Sequence, residues 1–153
     1  MRIVYGDLFT CPHDNDAICV TTNGIVRTYN STAVMGAGIA KTFATKFPKL
    51  PKILGKKLIK YGNHAFYLDR VLNYGEEYYI LSFPTKEHYR DKSSIDLITK
   101  SCYELIDIVD EYDIDNCYFP LPGCGLGGLR KDEVLPIISK ILDNRFVLVL
   151  PRR

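Results

Sequence analysis

Short apolar segments rich in β-branched and aromatic residues alternate with amphipathic segments along almost the whole chain. The first kind of segment predicts β-strands and the second predicts helices. The predicted strands are residues 2–5, 17–21, 65–68, 77–83, 116–120 and 146–150. This alternation favours an α/β fold, a three-layer α/β/α sandwich in which a central, mixed sheet of about six strands carries helices on both faces.

The predicted helices occupy residues 38–47, 50–61, 93–112 and 131–142. The third is the clearest, because its apolar residues recur at helical spacing; Ser93 is its expected N-cap, with Asp96 three residues later. Pro136 falls within the last helix and would complicate its first turns. The polar stretch IVRTYNSTAV at 25–34 is either a functional loop or a simple surface insertion.

The length and composition are typical of one globular domain, to which we assign the boundaries 1–153. Of the 153 residues, 46% are apolar and 25% are charged, as in an ordinary soluble protein. No apolar run is long enough to span a membrane, and the first residues begin a strand rather than a secretory signal. We therefore expect a cytoplasmic protein without membrane contact.

The cysteines and histidines do not indicate a metal site. The five cysteines form no C-x-x-C pair and are odd in number, which disfavours a disulfide framework and structural zinc. The three histidines lie far apart and lack metal-ligand spacing. We expect neither a metal ion nor a cofactor.

Two glycine-rich turns carry the strongest functional signal. The stretch YFPLPGCGLGGLRKDEV at 118–134 places four glycines within six residues, and VMGAGIAKTF at 34–43 places glycines directly before a helix. Orphan N–H groups at a helix N-terminus attract anions, and glycine lets a phosphate approach the backbone closely. Two such loops could bind a diphosphate from both sides; the alternative is a pair of independent tight turns.

The 118–134 stretch formally matches the dinucleotide fingerprint through Gly123, Gly125 and Gly128. A Rossmann fold is nevertheless excluded, because that fold needs the loop early in the chain and only one helix and one strand follow it here. The lysine–serine pair of a Walker motif is also missing from the sequence.

Two polar residues near strand ends could recognise the rest of a nucleotide. Asp7 follows the first strand and could accept a hydrogen bond from an exocyclic amine. Asn23 lies at the end of the second strand, where its amide could bind ribose hydroxyls. Each also has a structural interpretation, Asp7 as a cap and Asn23 as the turn residue of an Asn-Gly pair.

In combination, several motifs resemble those of macrodomains, the ADP-ribose-binding family, in both order and spacing. The motifs are GDLF, TTNG, VMGAGIAKTFATKFP, FPTKEHYR and LPGCGLGGLRKDEVLPII. The resemblance covers nearly the whole chain. It is greatest to the branch that contains the terminal ADP-ribose protein glycohydrolase and DarG, which removes ADP-ribose from DNA, and to stand-alone macrodomains of bacteria and phages.

This resemblance implies an ADP-ribose site. Asp7 and Leu8 would contact adenine, residues 23 and 36–39 would hold the distal ribose and one phosphate, and residues 123–127 would enclose the diphosphate. The full set of implied ADP-ribose-binding residues is Asp7, Leu8, Thr22, Asn23, Met35, Gly36, Ala37, Gly38, Ile39, Pro122, Gly123, Cys124, Gly125, Leu126 and Gly127.

Lys86, in the motif FPTK, is the catalytic candidate. In the hydrolases that the chain resembles, this lysine attacks or otherwise engages the anomeric carbon of the distal ribose. A lysine attacks as the neutral amine, a form that burial or neighbouring cations favour. The alternative is a solvent-facing lysine at the end of a strand.

The sequence departs from the family pattern at Gly127. The terminal glycohydrolase carries an aspartate at this position, so its acid–base carboxylate is missing here, whereas DarG-type sequences share the form GCGLGGL. Glu87 and Asp91 are carboxylates near Lys86 in sequence. Cys124 is expected to be a small loop residue rather than a nucleophile, although a helix N-terminus could lower its pKa.

Basic residues indicate possible contact with DNA or RNA. Lysines are concentrated at 49–60, and the segment PTKEHYRDK adds further cations. His88, Tyr89 and Arg90 could contact a base or backbone beyond the ribose, because an aromatic residue beside an arginine suits nucleobase stacking. The alternative is a loop that simply packs Tyr89 onto the surface.

We therefore expect a protein that binds ADP-ribose and hydrolyses it from a modified macromolecule, namely a nucleic acid base. Its partners would be ADP-ribose or an ADP-ribosylated macromolecule. One alternative is a reader that binds ADP-ribose without catalysis. The other is a hydrolase of a small ADP-ribose derivative, although the sequence offers no clear histidine–aspartate pair for a phosphatase.

Overall fold

The computed structural model describes residues 1–152, in which strands and helices alternate. The strands are β1 (Arg2–Tyr5), β2 (Ala17–Thr22), β3 (Val26–Arg27), β4 (Thr32–Ala33), β5 (Tyr67–Asn73), β6 (Glu76–Pro84), β7 (Cys117–Pro120) and β8 (Phe146–Leu150). The α-helices are α1 (Gly38–Lys46), α2 (Leu50–Tyr61), α3 (Ile95–Glu111) and α4 (Lys131–Ile141). None of the helices within residues 1–152 is long and apolar enough to cross a bilayer.

A mixed sheet of six strands forms the middle layer, in the order β1-β8-β7-β2-β6-β5. Neighbouring strands are parallel except for β5, which pairs with β6 in the antiparallel direction. Successive side chains of β2 enter two different cores: Ala17 and Cys19 pack in one, Ile18 and Val20 in the other. Helices α3 and α4 cover the first core and α1 and α2 the second, so the predicted three-layer sandwich is confirmed.

The parallel strands bring the carboxyl ends of β1, β8, β7, β2 and β6 to the same edge of the sheet. The segments that follow these ends contain most of the chemically interesting residues of the sequence. Ligands of open α/β sheets bind in the crevice outside the carboxyl ends of the strands. The topology therefore determines which edge of this molecule can hold a ligand.

Strand β5 is longer than the sequence predicts and continues to Asn73, five residues past the expected end at 68. Tyr74 and Gly75 both have positive φ, so they form a two-residue turn of the type I′ kind and let β5 return directly into β6. The extension was missed because β5 is an edge strand in which Asp69, Arg70 and Asn73 interrupt the apolar pattern. The sequence also lacks the usual Asn-Gly or Asp-Gly signal at this turn.

Helix α3 begins two residues later than expected, and its N-cap is Ser94 rather than Ser93. The Ser94 hydroxyl accepts a hydrogen bond from the Leu97 N–H at 3.2 Å. Ser93 is instead buried, and its main-chain N–H donates to the Gly127 carbonyl at 2.8 Å. The residue predicted as a cap therefore joins the start of α3 to the glycine-rich segment after β7.

The polar stretch at 25–34 forms a small hairpin of β3 and β4 that packs on α2. The contact depends on Gly55 of α2, because a Cβ atom there would overlap the carbonyl group of Ser31 and lie 2.9 Å from the Ala33 nitrogen. The hairpin thus rests directly on the backbone of a helix. Two of its residues, Arg27 and Val34, border the cavity described next.

Candidate functional site

A cavity of about 590 Å³ lies at the carboxyl ends of β2, β6 and β7. Its size is within the range of small-molecule sites. Three segments form most of its lining: the end of β2 with Asn23, the turn into α1, and the segment after β7. Lys86, which follows β6, lines it as well. We call this space the main cavity.

A second cavity of about 440 Å³ adjoins the first and shares four lining residues with it, Ile39, Pro120, Leu121 and Cys124. It lies beyond the ends of β1 and β8, and Asp7 and Leu8 form part of its lining. We call it the adjoining cavity. The two spaces together make one elongated groove along the sheet edge, as an extended ligand such as a dinucleotide requires.

The first glycine loop, residues 34–38, leads into α1 at the main cavity. The helix is capped by Ala37, which has no side chain able to accept a hydrogen bond. The first N–H groups of α1 belong to Gly38, Ile39 and Ala40, and all three residues line the main cavity. These are the orphan donors of a helix N-terminus, so this side of the cavity favours an anion.

The second glycine loop, residues 121–128, is closed by its own hydrogen bonds. Leu129 N–H donates to the Gly123 carbonyl, and Gly128 N–H donates to that of Gly125. Gly123, Gly125 and Gly128 have φ between +66° and +79°, a conformation that favours glycine. The loop contains a short 3₁₀ turn at Gly125–Gly127 and does not lead directly into an α-helix.

The two glycine loops meet across the main cavity. A Cβ atom on Gly38 of the first loop would lie 3.5 Å from Leu126 Cδ1 of the second. Leu126 is 76% exposed and lines the main cavity, so its side chain does not pack in a core. Both loops therefore face the same space, as a ligand held from two sides requires.

The segment that carries Lys86 is fixed on both sides by main-chain hydrogen bonds. Thr85 N–H donates to the Thr22 carbonyl at 3.0 Å, and the Thr85 carbonyl accepts from Ser94 N–H at 2.8 Å. The Lys86 carbonyl accepts from the Asn63 amide at 3.2 Å. Lys86 itself is partly buried and lines the main cavity, so it is not the fully solvent-facing lysine of the alternative interpretation.

The charges that line the main cavity are positive. Among the described residues, Arg27 and Lys86 are its cationic side chains, and no aspartate, glutamate or histidine lines it. Glu87 lines neither cavity, and its carboxylate accepts a hydrogen bond from Asn63 at 3.2 Å. Asp91 is exposed and also lies outside both cavities. No carboxylate from these positions replaces the one missing at Gly127.

Gly127 leaves no room for a side chain in this arrangement. A Cβ atom there would overlap the Ser93 hydroxyl, and Ser93 also lines the main cavity. Burial raises the pKa of the Cys124 thiol, and Glu133 contributes in the same direction. Cys124 therefore remains a protonated thiol near neutral pH, which disfavours a nucleophilic role.

Asp7 and Asn23 make the structural contacts that were their alternative interpretations. Asp7 caps a 3₁₀ turn by accepting from Phe9 N–H at 2.9 Å. The Asn23 amide nitrogen donates to the Val34 carbonyl at 2.9 Å, and its oxygen accepts from Ile25 N–H at 2.9 Å. Both residues still border the groove, Asp7 at the adjoining cavity and Asn23 at the main cavity.

Of the residues expected at an ADP-ribose site, all but Pro122 line one of the two cavities. Pro122 is buried and lines neither, so it does not belong to the lining set. Asp7, Leu8 and Gly125 lie at the adjoining cavity. The others lie at the main cavity: Thr22, Asn23, Met35, Gly36, Ala37, Gly38, Ile39, Lys86, Gly123, Cys124, Leu126 and Gly127.

The sequence did not identify several residues that line the groove. Arg27 enters through the hairpin, Ser93 through the start of α3, and Val149 through the end of β8. Each is brought there by tertiary packing. The remaining unpredicted residues are Gly6, Thr21, Val34, Ala40, Thr85, Pro120, Leu121, Leu150 and Pro151. The strand order alone would have predicted that the residues at strand ends among them lie at this edge of the sheet. Tyr89, which the sequence indicated as a candidate base contact, also lines the main cavity.

Comparison with known protein families and structures gives consistent matches. The family model described as Macro domain matches residues 26–138. A DNA ADP-ribosyl glycohydrolase of Mycobacterium tuberculosis is 31% identical over 122 residues, which cover 78% of this chain and 34% of that protein. The chain thus spans about a third of the length of that relative.

Two further matches cover most of both proteins. The solved structure described as the macrodomain of Thermus aquaticus DarG has a TM-score of 0.79 and 28% identity, covering 97% of this chain and 96% of its own. The ADP-ribose glycohydrolase OARD1 of Bos taurus is 28% identical over 144 residues, covering 93% of this chain and 85% of that protein.

Proposed function

We propose that this chain, which belongs to the macro domain family, binds ADP-ribose and removes it by hydrolysis from a modified nucleic acid base. Lys86 would be the catalytic residue. The family assignment agrees with the resemblance found in the sequence motifs. The substrate and the reaction are our proposal for this chain.

The observation that carries the proposal is the pair of glycine loops on one cavity. Gly38, Ile39 and Ala40, which carry the orphan N–H groups, line it from the first loop, and Gly123, Cys124, Leu126 and Gly127 line it from the second. A diphosphate between them would accept main-chain hydrogen bonds from both sides. Adenine would then lie in the adjoining cavity near Asp7 and Leu8, and the distal ribose near Asn23 and Lys86.

Lys86 supports a covalent route that needs no carboxylate. Its neutral amine would attack the anomeric carbon of the distal ribose and displace the base, forming a C–N bond as the glycosidic bond breaks. The new secondary ammonium would give its proton to the departing base, which leaves neutral. Water would then replace the lysine at the anomeric carbon, releasing ADP-ribose and restoring the amine.

The names of the relatives support hydrolysis, and one of them supports a nucleic acid as the leaving group. Two of them are described as glycohydrolases, one as a DNA ADP-ribosyl glycohydrolase and the other as an ADP-ribose glycohydrolase. A nucleic acid substrate also suits the main cavity of this chain, because its charged side chains, Arg27 and Lys86, are both cationic. We therefore propose ADP-ribosylated DNA or RNA as the partner.

A reader that binds ADP-ribose without cleaving it is the second candidate function. The observation that favours it is the lining of the main cavity, which within residues 1–152 contains no carboxylate. Such a protein would bind ADP-ribose at micromolar concentration and leave every conjugate intact. Binding without product from any substrate would select this function over hydrolysis.

The deciding experiment combines calorimetry with a panel of ADP-ribosylated DNA, RNA and protein. Lys86→Ala should reduce turnover of the true substrate by about 10³-fold or more, while the Kd for ADP-ribose changes by less than about threefold. Lys56→Ala is the matched control, because Lys56 is exposed on α2 and lines neither cavity. Undiminished turnover in Lys86→Ala would exclude the lysine mechanism.

We also propose that residues 1–153 work as one macrodomain in the cytoplasm. Pairing of β1 with β8 joins both ends of the described chain in one sheet, which supports a single unit. The five cysteines are all free thiols, and the buried Cys19 and Cys117 sulfur atoms, 3.5 Å apart, share a hydrogen bond rather than a disulfide. Unpaired thiols suit a reducing compartment.

A further inference from the structure

Tyr89 has an unusual position at the groove. Among the described residues that line the main cavity, it is the only aromatic one. Tyr89 is 42% exposed, so its ring is accessible to a partner. The tyrosine has no part in the diphosphate site, which is formed by main-chain groups of the two glycine loops. Its function therefore needs a separate explanation.

The segment that carries Tyr89 is held in place before any ligand binds. The Glu87 carbonyl accepts from Gly24 N–H at 2.8 Å, and Asp91 N–H donates to the His88 carbonyl at 3.0 Å. At the far end, Ser93 N–H donates to the Gly127 carbonyl at 2.8 Å. A surface fixed in advance loses little conformational entropy when it binds a partner.

Two neighbours orient the tyrosine ring. The His88 ring lies 4.3 Å from it between centroids, with an angle of 31° between the planes. The Arg90 guanidinium carbon lies 5.7 Å from the Tyr89 centroid. Arg90 N–H also donates to His88 Nδ1 at 3.1 Å, which ties the two neighbours together. An exposed ring beside an arginine is a suitable stacking surface for an unpaired base.

Tyr89 lies on the same short segment as Lys86, and both residues line the main cavity. The leaving group of the proposed reaction is bonded to the anomeric carbon that Lys86 would attack. The leaving group must therefore occupy the part of the cavity next to Lys86. A planar side chain on the same segment is in a position to contact it.

We propose that Tyr89 forms the leaving-group subsite, by stacking on the base from which ADP-ribose is released or on its neighbour. This subsite selects ADP-ribosylated single-stranded nucleic acid over ADP-ribosylated protein, because stacking needs a planar, unpaired base. The inference rests on the proposed function. It adds the residue that distinguishes one class of conjugate from another.

Binding to a catalytically silenced protein tests this subsite directly. In the Lys86→Ala background, an ADP-ribosylated single-stranded oligonucleotide should bind more tightly than free ADP-ribose. Adding Tyr89→Leu should weaken oligonucleotide binding by about 10-fold, while Tyr89→Phe weakens it by less than about threefold. The Kd of free ADP-ribose and of an ADP-ribosylated peptide should remain unchanged in both variants.

Tyr103→Leu is the matched control, because Tyr103 is also an exposed tyrosine but lies on α3 outside both cavities. Equal oligonucleotide affinity with and without Tyr89→Leu would overturn the subsite. So would an equal loss for free ADP-ribose, because Tyr89 would then hold the nucleotide itself. Weaker binding of the peptide conjugate would show that the ring recognises protein instead.

The outcomes also separate this inference from the proposed function. If the wild-type protein cleaves no conjugate but Tyr89→Leu still weakens oligonucleotide binding selectively, the subsite stands and hydrolysis fails. If cleavage occurs but Tyr89→Leu leaves the KM for the oligonucleotide unchanged, hydrolysis stands and the subsite fails. If ADP-ribose does not bind at all, both are excluded.

Discussion

The two glycine loops look alike in sequence but need their glycines for different reasons. In the first loop, a side chain on Gly36 would meet no atom within 4 Å, so the space around it is open. In the second loop, a Cβ atom on Gly123 would lie 2.7 Å from Ile98 Cδ1 and 2.8 Å from Leu129 Cδ1. Gly36 thus stands beside open space at the main cavity, whereas Gly123 packs against the core.

The helices that follow the loops differ in the same way. Helix α1 presents uncapped N–H groups at the main cavity. Helix α4 begins at Lys131, outside both cavities, and Glu133 accepts a hydrogen bond from the N–H of its N-cap residue, Arg130. The first loop therefore presents an α-helix N-terminus to the main cavity, whereas the second lines it with its own backbone and a short 3₁₀ turn. A glycine cluster before a helix does not by itself identify an anion site.

Gly123→Ala should give the largest loss of stability. The residue has φ of +77°, which costs a non-glycine residue about 1–2 kcal/mol, and its methyl group would displace core side chains at about 1–3 kcal/mol. We expect the free energy of unfolding to fall by about 3 kcal/mol in urea titrations. A loss below about 1 kcal/mol would mean that the second loop is as open as the first.

Gly127→Ala should cost about 2 kcal/mol, because its methyl group would overlap the Ser93 hydroxyl. Ser93→Gly removes that obstacle, so the double variant Ser93→Gly/Gly127→Ala should be more stable than the sum of the single changes predicts. A coupling of at least about 1 kcal/mol in a double-mutant cycle would confirm the contact. Strict additivity would show that the two residues do not share this space.

Gly36→Ala should leave the free energy of unfolding within about 0.5 kcal/mol of the wild type, because no neighbour would be displaced. The same methyl group would enter the main cavity, which Gly36 lines. We therefore expect ADP-ribose binding to weaken about 10-fold in calorimetry. Unchanged affinity would show that ligand access does not explain this glycine.

The smallest effect concerns the Cys124 thiol in the second loop. Burial raises its pKa above the ordinary value of 9.0, so the thiolate forms only in alkaline solution. The rate of Cys124 alkylation by iodoacetamide, followed by peptide mass spectrometry, should rise about tenfold per pH unit and should not yet level off at pH 9.0. A rate that levels off near pH 7 would indicate a lowered pKa, as a helix N-terminus acting on this loop would cause.

The sequence predicted the fold well because its signals were local. Every α-helix was located to within two residues at each end, since amphipathic spacing determines which face is buried. The hairpin at 25–34 and the extension of β5 were missed, because polar edge strands carry no alternating apolar pattern. Their positions follow from packing on α2 and from the Tyr74–Gly75 turn.

Sequence motifs indicated the groove residues that belong to the glycine loops, but not the residues that reach the groove from distant segments. The glycine loops and Lys86 were located through motifs, whereas Arg27 and Ser93 reach the cavity only through the tertiary fold. Pro122 was expected at the site from the family resemblance, yet it is buried and lines neither cavity. Neighbouring positions in a turn face different directions, and sequence alone does not separate them.

The glycine that supports the hairpin has a consequence for the interpretation of mutational scans. Gly55 lies in the middle of α2 and touches no part of the groove, yet it determines how closely the hairpin approaches. Any larger residue would push residues 25–34 outward and carry Arg27 and Val34 with them. A substitution at Gly55, which is remote from the ligand, would therefore weaken binding in such a scan. It would do so because it changes the width of the main cavity and not the residues that contact the ligand.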